Sequence, residues 1–330
     1  MSNIKDVAQL AKVSISTVSY ALNNTGSVSE KTKRKIIDAA KKLEYKPSGI
    51  ARSLKTKKTE IIGVFLNNFN GPIYSEIIRG ARDVIKANGY EIVVAECMVG
   101  KNKVTKLFSQ SIVDGAIILS TTISDEIIKK YATSKFPIVV LDRELNNEYI
   151  SNVLIDNKNA CYNAIKFASH QGYNDIALIN GPIGTYDSEK RYEGFMEGIK
   201  DFKLNLKSEW ACIGNFEEES GYNITKEFIE NDNLPEIICA ANDEMAIGAI
   251  RALKEADIKI PEEVSVMGFD DILLCNYITP KLTTIRRPAY DLGVLAAHTL
   301  FNNLKGNFDN KSKMLSTEFI IRESLIKKVK

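Results

Sequence analysis

At 330 residues the chain is too long for one ordinary core, and 44% hydrophobic with 26% charged residues is the make-up of a soluble globular protein of two or three folding units. No run of about 20 apolar residues is present to span a bilayer, and MSNIKDVAQL lacks the apolar core of a signal peptide, so no membrane partner and no export are expected. The formal net charge of +2 conceals a split: residues 1–58 carry 13 Lys+Arg against 4 Asp+Glu, a net +9, which leaves −7 for residues 59–330.

The first predicted elements are a helix, a tight turn and a second helix over Ile4–Val18. Ile4, Val7, Ala8, Leu10 and Ala11 recur at helical spacing, as do Val18, Ala21 and Leu22. Lys12-Val13-Ser14 leaves room only for a sharp turn, with Val13 as buried pivot and Ser14 as N-cap. The second helix presents Ile15, Ser16, Ser19, Tyr20 and Asn23, a largely polar face where a core helix would be apolar. A helix-turn-helix sets such a face in the major groove. A third helix is expected from the N-cap Ser29 through KTKRKIIDAAKKLEY, with Ile36, Ile37, Ala40 and Leu43 inward and Tyr45 closing a small core. Charge alone fits a solvated face at Lys31–Lys42; charge combined with this pattern points to DNA, because basic segments release phosphate counterions. Beyond it, Pro47 ends the helix and Ser48 can cap a short one that Gly49 weakens. Such a segment orders only against a partner, such as a second copy and DNA.

From Glu60 apolar strands alternate with amphipathic helices. Strands are predicted at 61–66, 91–97, 115–120, 137–142, 152–156, 175–180, 210–215, 236–241 and 264–269. The helices between them include Tyr74–Asn88, Ala160–Gln171, Arg191–Phe202, Ser220–Glu230 and Asp243–Glu255. The expected class is therefore α/β: an all-α helix-turn-helix headpiece followed by two doubly wound parallel sheets. Ligands of such sheets bind at the carboxyl ends of strands, where Asn67, Asp142, Asn242 and Asp270 fall.

IKDVAQLAKVSISTVSYALN, YKPSGIARSL, GPIYSEIIRGA, DGAIILS, VVLDRE, EKRYEGF, ANDEMAIGAI and VMGFDD followed by LTTIRRP occur in this order. Through these motifs the chain resembles the lactose-repressor (LacI) family of bacterial transcription regulators along essentially its whole length. The resemblance implies a headpiece at 1–47, a hinge helix at 48–58 and a periplasmic-binding-protein-like core at 59–330. In that core an N-subdomain takes about 59–158 plus 288–315 and a C-subdomain about 159–287 plus 316–330. Crossings between them are expected near 157–160, 286–289 and 315–318. It also implies base readers at Ile15, Ser16 and Tyr20, the last a departure, since Arg is frequent there and a phenol cannot grip guanine in bidentate fashion. Thr17, Ser19, Asn23, Ser29 and Thr32 would lie against phosphate, with Ser14 in the same DNA-binding set. Ser48, Ala51 and Leu54 would belong to the hinge, Leu54 wedging into the minor groove at the centre of a pseudo-palindromic operator. Paired hinges imply a homodimer. Asn67, Tyr74, Asp142, Arg143, Arg191, Phe216, Asn242, Asp270 and Arg287 would line an effector site. The carboxylates favour a neutral sugar; the arginines leave a sugar phosphate or acidic sugar open.

His298 and Asn302 stand where the catabolite control protein branch carries two basic residues, so that branch is not expected. RESLIKKVK holds no heptad for a tetramerising tail. The five cysteines, Cys97, Cys161, Cys212, Cys239 and Cys275, contain no CxxC pair, which fits free thiols in a reducing cytoplasm. His170 and His298 are too far apart in sequence to suggest a zinc site or a His-dependent triad, so neither metal nor cofactor is expected. Rival functions are a sugar-binding protein without a DNA role and an α/β sugar enzyme with an Asp142/Asp270 dyad. No GxGxxG follows the first strand and no GxxxxGK[ST] occurs, so nucleotide chemistry and an enzyme are disfavoured. Induction and corepression, as in the purine-repressor branch, both remain open.

Overall fold

The computed structural model describes residues 2–23, 26–45, 58–67, 71–97, 105–309 and 311–325. The hinge positions Ser48, Ala51 and Leu54 lie outside the described residues. The chain divides into two units, 1–60 and 61–330.

In the first unit, helices α1 (Ile4–Ala11), α2 (Ile15–Asn23) and α3 (Glu30–Lys42) surround Val7, Ala8, Ala11, Val18, Ala21, Ile36, Ala39 and Ala40. Asn3 and Asp6 form a reciprocal capping box at the start of α1. Lys12 ends that helix at φ 54°, in the left-handed region, which turns the chain within two residues. Ser14 Oγ accepts from the Thr17 amide at 3.1 Å and Ser29 Oγ from that of Thr32 at 3.3 Å, so each caps its helix. Three apolar residues depart from expectation. Leu10 and Ile37 are 49% and 36% exposed, because each sits about 100° around its helix from the Ala11 and Ile36 that reach the core. Val13 packs on this core but is only half-buried.

Among its described residues the second unit has twelve strands: β1 (Ile61–Leu66), β2 (Glu91–Glu96), β3 (Gly115–Ile118), β4 (Ile138–Leu141), β5 (Ile150–Ile155), β6 (Ile176–Asn180), β7 (Ala211–Ile213), β8 (Ile237–Ala240), β9 (Ser265–Asp270), β10 (Thr283–Arg286), β11 (Lys313–Leu315) and β12 (Glu318–Ile320). They form two six-stranded sheets, ordered β11-β5-β4-β3-β1-β2 and β12-β10-β9-β8-β6-β7. Central strands such as β4 and β8 are buried along their whole length, as expected where helices cover both faces. Helices α4 (Pro72–Ala87), α5 (Thr105–Ser109), α6 (Asp125–Tyr131), α7 (Asn157–His170), α8 (Tyr186–Asp201), α9 (Glu218–Glu230), α10 (Asp243–Glu255) and α11 (Ala289–Leu304) connect them.

The expectation of wholly parallel sheets needs one correction. β12 runs antiparallel to β10, with Glu318 opposite Arg286. The chain leaves β11 at the carboxyl edge of the first sheet and enters the second at its carboxyl edge without an intervening helix. Its next strand can then only run back. Three passages join the sheets, after β5, after β10 and after β11. Strands β10, β11 and β12 were not among the nine predicted; β11 and β12 are partly exposed edge strands without the apolar run that marks β3, β4 and β8. Helices α7 and α8 begin earlier than their apolar stripes suggest, at Asn157 and Tyr186, which brings Tyr186 and Asp187 into a first turn ahead of Arg191. Among the described residues no helix is long and apolar enough to cross a membrane.

Candidate functional site

The carboxyl ends of the two sheets border a cavity of about 410 Å³ within residues 61–330, a volume suited to a small organic ligand. All nine effector-site residues named from the sequence line it. Asn67 follows β1, Tyr74 lies in the first turn of α4, and Asp142 and Arg143 follow β4. Arg191 comes from α8, Phe216 from the loop before α9, Asn242 from the cap of α10, Asp270 from the end of β9 and Arg287 from the end of β10. Three of them hold backbone that L-residues avoid: Asp142 at φ 46°, Phe216 at 71° and Asp270 at 117°. Strain of this kind persists only where the surroundings enforce it, and it concentrates at binding sites. Gly181 permits one such placement, since a Cβ there would lie 2.2 Å from the Phe216 ring.

The arginines are engaged by the protein itself. Arg191, 1% exposed, stacks at 3.7 Å over the Phe269 ring. It donates to Asn157 Oδ1 at 3.0 Å, to the Ala241 carbonyl, and to Asp270 Oδ1 at 3.5 Å. Arg143 binds Asp125 and the Ile123 carbonyl. Arg287 is paired with Asp142, both buried, and its amide donates to the Asp270 carbonyl at 3.3 Å. Two atoms of that ion pair, Asp142 Oδ1 and Arg287 Nε, are buried without a hydrogen-bond partner. Burial raises the Asp142 and Asp270 carboxyls above their usual range, against the opposing pull of the arginines. For Arg287, burial opposes the charge, but Asp142, Asp270 and Asp187 outweigh it and hold the guanidinium protonated.

Asn242 has a different occupation from the one expected of a hydroxyl reader. Its Oδ1 accepts from the Met245 amide at 3.1 Å, capping α10, and its Nδ2 donates to the Phe216 carbonyl at 2.8 Å. It thereby holds the loop that presents Phe216. Asn67 Oδ1 similarly accepts from Ser120 Oγ at 2.9 Å and the Thr121 amide at 3.0 Å. Sequence reasoning missed Tyr186, Asp187, Asn215, Glu217 and Glu244, which also line the cavity. Asp187 was findable: it sits four residues before Arg191, one helical turn away on the same face. Glu217 and Glu244 lie in exposed-looking acidic runs that give no local signal.

In the first unit, Ile15 and Tyr20 stand 45% and 46% exposed beside exposed Ser16, so the start of α2 offers a free face and Ile15 is not a core residue. Ser14 Oγ also lies 2.7 Å from Ser16 Oγ and 2.8 Å from Thr17 Oγ1. Asn23 Nδ2 donates to the Ser19 carbonyl at 2.9 Å, and Ser29 Oγ lies 2.9 Å from Thr32 Oγ1. The hydroxyls of Ser14, Ser16 and Thr17 cluster at the N-terminus of α2 and those of Ser29 and Thr32 at that of α3, where the helix dipole favours phosphate.

Two family models match the chain: bacterial regulatory proteins of the lacI family over residues 3–48, and a periplasmic binding protein-like domain over residues 165–325. The probable HTH-type transcriptional repressor ExuR of Bacillus subtilis (strain 168) is 34% identical over 333 residues, covering 98% of each chain. A LacI family transcriptional regulator from Enterococcus faecium with bound ribose is 28% identical at a TM-score of 0.74, covering 82% of this chain and 100% of that one. The lac repressor dimer bound to operator and the anti-inducer ONPF shares the fold at a TM-score of 0.84 and 24% identity, covering 98% of both chains.

Proposed function

The chain belongs to the LacI family of bacterial regulatory proteins, and from that premise we propose that it is a repressor whose hold on an operator is set by a hydroxyl-bearing sugar without an acidic group, bound in the core cavity. One observation carries the ligand class. The Asp142–Arg287 pair, two residues of the cavity lining, keeps one acceptor, Oδ1, and one donor, Nε–H, buried and unpartnered. Buried polar atoms left so cost free energy until met. A hydroxyl both accepts and donates, so it answers the two together; a carboxylate or phosphate dianion cannot donate to Asp142. The remaining arginines are already engaged by Asp125 and Asp270, which removes the cationic grip an acidic sugar needs. The ribose complex of the Enterococcus faecium relative agrees in ligand class.

On the DNA side, Ile15, Ser16 and Tyr20 meet base edges while Thr17, Ser19, Asn23, Ser29 and Thr32 meet phosphate, with Ser14 in the same DNA-binding set. The headpiece at 1–47, the hinge segment at 48–58 and the core from 59 act as a homodimer on chromosomal DNA inside the cell. Sugar binding biases the orientation of the two core sheets and so the pairing of the hinges.

The test is a panel of sugars, sugar phosphates and sugar acids titrated against the full chain bound to an operator selected from random DNA. Neutral sugars are expected to shift operator affinity. Arg287→Lys, which keeps a cation beside Asp142 but removes Nε–H, should weaken the responding sugar about tenfold, the worth of one charge-assisted hydrogen bond. A response confined to phosphorylated or acidic compounds overturns the reading.

A further inference from the structure

We infer that the ligand carries a protonated amine beside its hydroxyls: an amino sugar, held by Asp187, Glu217 and Glu244. This rests on the sugar reading above and narrows it. Asp142, Asp187, Glu217, Glu244 and Asp270 all line the cavity. Of the three arginines there, Arg143 is bound to Asp125, which lies outside the lining, while Arg191 and Arg287 answer Asp270 and Asp142. Among the described residues, two arginines not bound outside the lining therefore face five carboxylates.

Asp187, Glu217 and Glu244 make no ion pair among the described residues. Asp187 accepts from the Ser188 amide of its own turn at 2.9 Å, and Glu217 from Asn215 Nδ2 at 3.2 Å. The surplus is felt by its neighbours. Burial, then the charges of Asp270, Glu217 and Glu218, push the Glu244 carboxyl up to about 6. Burial, then Asp187, raises the Tyr74 hydroxyl. Asp142, a residue of the same lining, has its Oδ1 buried and without a hydrogen-bond partner. A partly enclosed wall with unbalanced negative charge concentrates cations.

The cation is an organic one. Among the described residues no three of His, Cys, Asp and Glu converge closely enough to hold a metal ion. An ammonium on a sugar-sized body instead spreads three donors over spaced carboxylates. Tyr74, Tyr186 and Phe216 line the same cavity, and aromatic faces attract an ammonium as well as a sugar ring.

Calorimetric titration of the full chain at pH 7 tests this with glucosamine, galactosamine and mannosamine, each beside its parent sugar and its N-acetyl form, plus glucuronate and galacturonate. The expected result is one amino sugar binding at least tenfold tighter than its parent and its N-acetyl form. Glu244→Gln and Asp187→Asn should each weaken the amino sugar several-fold more than they weaken its parent sugar. A parent sugar binding as tightly as its amine overturns the inference and leaves the sugar reading standing. Binding only by the uronates overturns both. Absence of binding by all three amino sugars overturns the inference, and the parent sugars then decide the reading beneath it.

Discussion

Asp243 lies one residue past the cap of α10, fully buried, and joins three segments around the cavity. Its Oδ1 accepts from the Thr284 hydroxyl at 2.5 Å; its Oδ2 accepts from the Ile272 amide at 2.9 Å and from Cys275 Sγ at 3.1 Å. Burial, then the charge of Asp270, push its carboxyl up to about 7. A carboxyl whose folded value exceeds its unfolded one favours folding while protonated. Its contribution is therefore present at low pH and lost as pH rises from the unfolded value near 4 through 7, at a cost on the order of 4 kcal/mol. Thermal unfolding of the full chain should show a lower melting temperature at pH 8.5 than at pH 6. Asp243→Asn keeps an acceptor for the Ile272 amide without the titration, so its melting temperature should change less over that range. An unaltered pH slope in the variant would assign the effect to other groups.

Helix pairs set how closely the layers approach. α4 and α11 meet glycine against backbone in both directions: a Cβ at Gly80 would lie 2.0 Å from the Tyr290 carbonyl oxygen, and one at Gly293 2.1 Å from that of Ile77. No rotamer relieves a clash with main chain, so the helices must separate to admit a methyl. Gly293→Ala should cost about 1–3 kcal/mol, the usual range for overpacking, and lower the urea midpoint accordingly. An unchanged midpoint would mean that the helices slide apart freely. Because α11 follows the passage out of β10, any shift of this pair also moves the segment that carries Arg287. Helix identity was legible from apolar spacing, whereas this reciprocal contact was not, because it depends on two helices more than 200 residues apart in the chain.

At the scale of the whole chain, the sequence divides a strongly basic segment from an acidic remainder, +9 on residues 1–58 and −7 on 59–330. Operator binding should therefore weaken steeply with salt. For six to ten phosphate contacts the fall is about three to five decades between 50 and 200 mM, read by fluorescence anisotropy over a salt series. A flat titration would remove the basic segment as the docking surface.

The sequence alone determined what depends on neighbours along the chain. Two serine caps, a turn three residues long and apolar spacing specify the headpiece, and apolar runs specify most of the strands, because local hydrogen bonding and burial obey short periods. The nine cavity residues were named through family motifs rather than periodicity, since nothing local distinguishes Asp142 from a surface aspartate. Tertiary structure alone decided the charges. It paired Arg287 with Asp142, 145 residues away, turned Asn242 inward as a cap, and brought Asp187, Glu217 and Glu244 to the cavity lining with no ion pair among the described residues. It also reversed β12, whose direction follows from which edge the chain enters. A pairing between distant side chains exists only once two sheets have brought their carboxyl ends together, and no spacing along the chain encodes which partner each will meet.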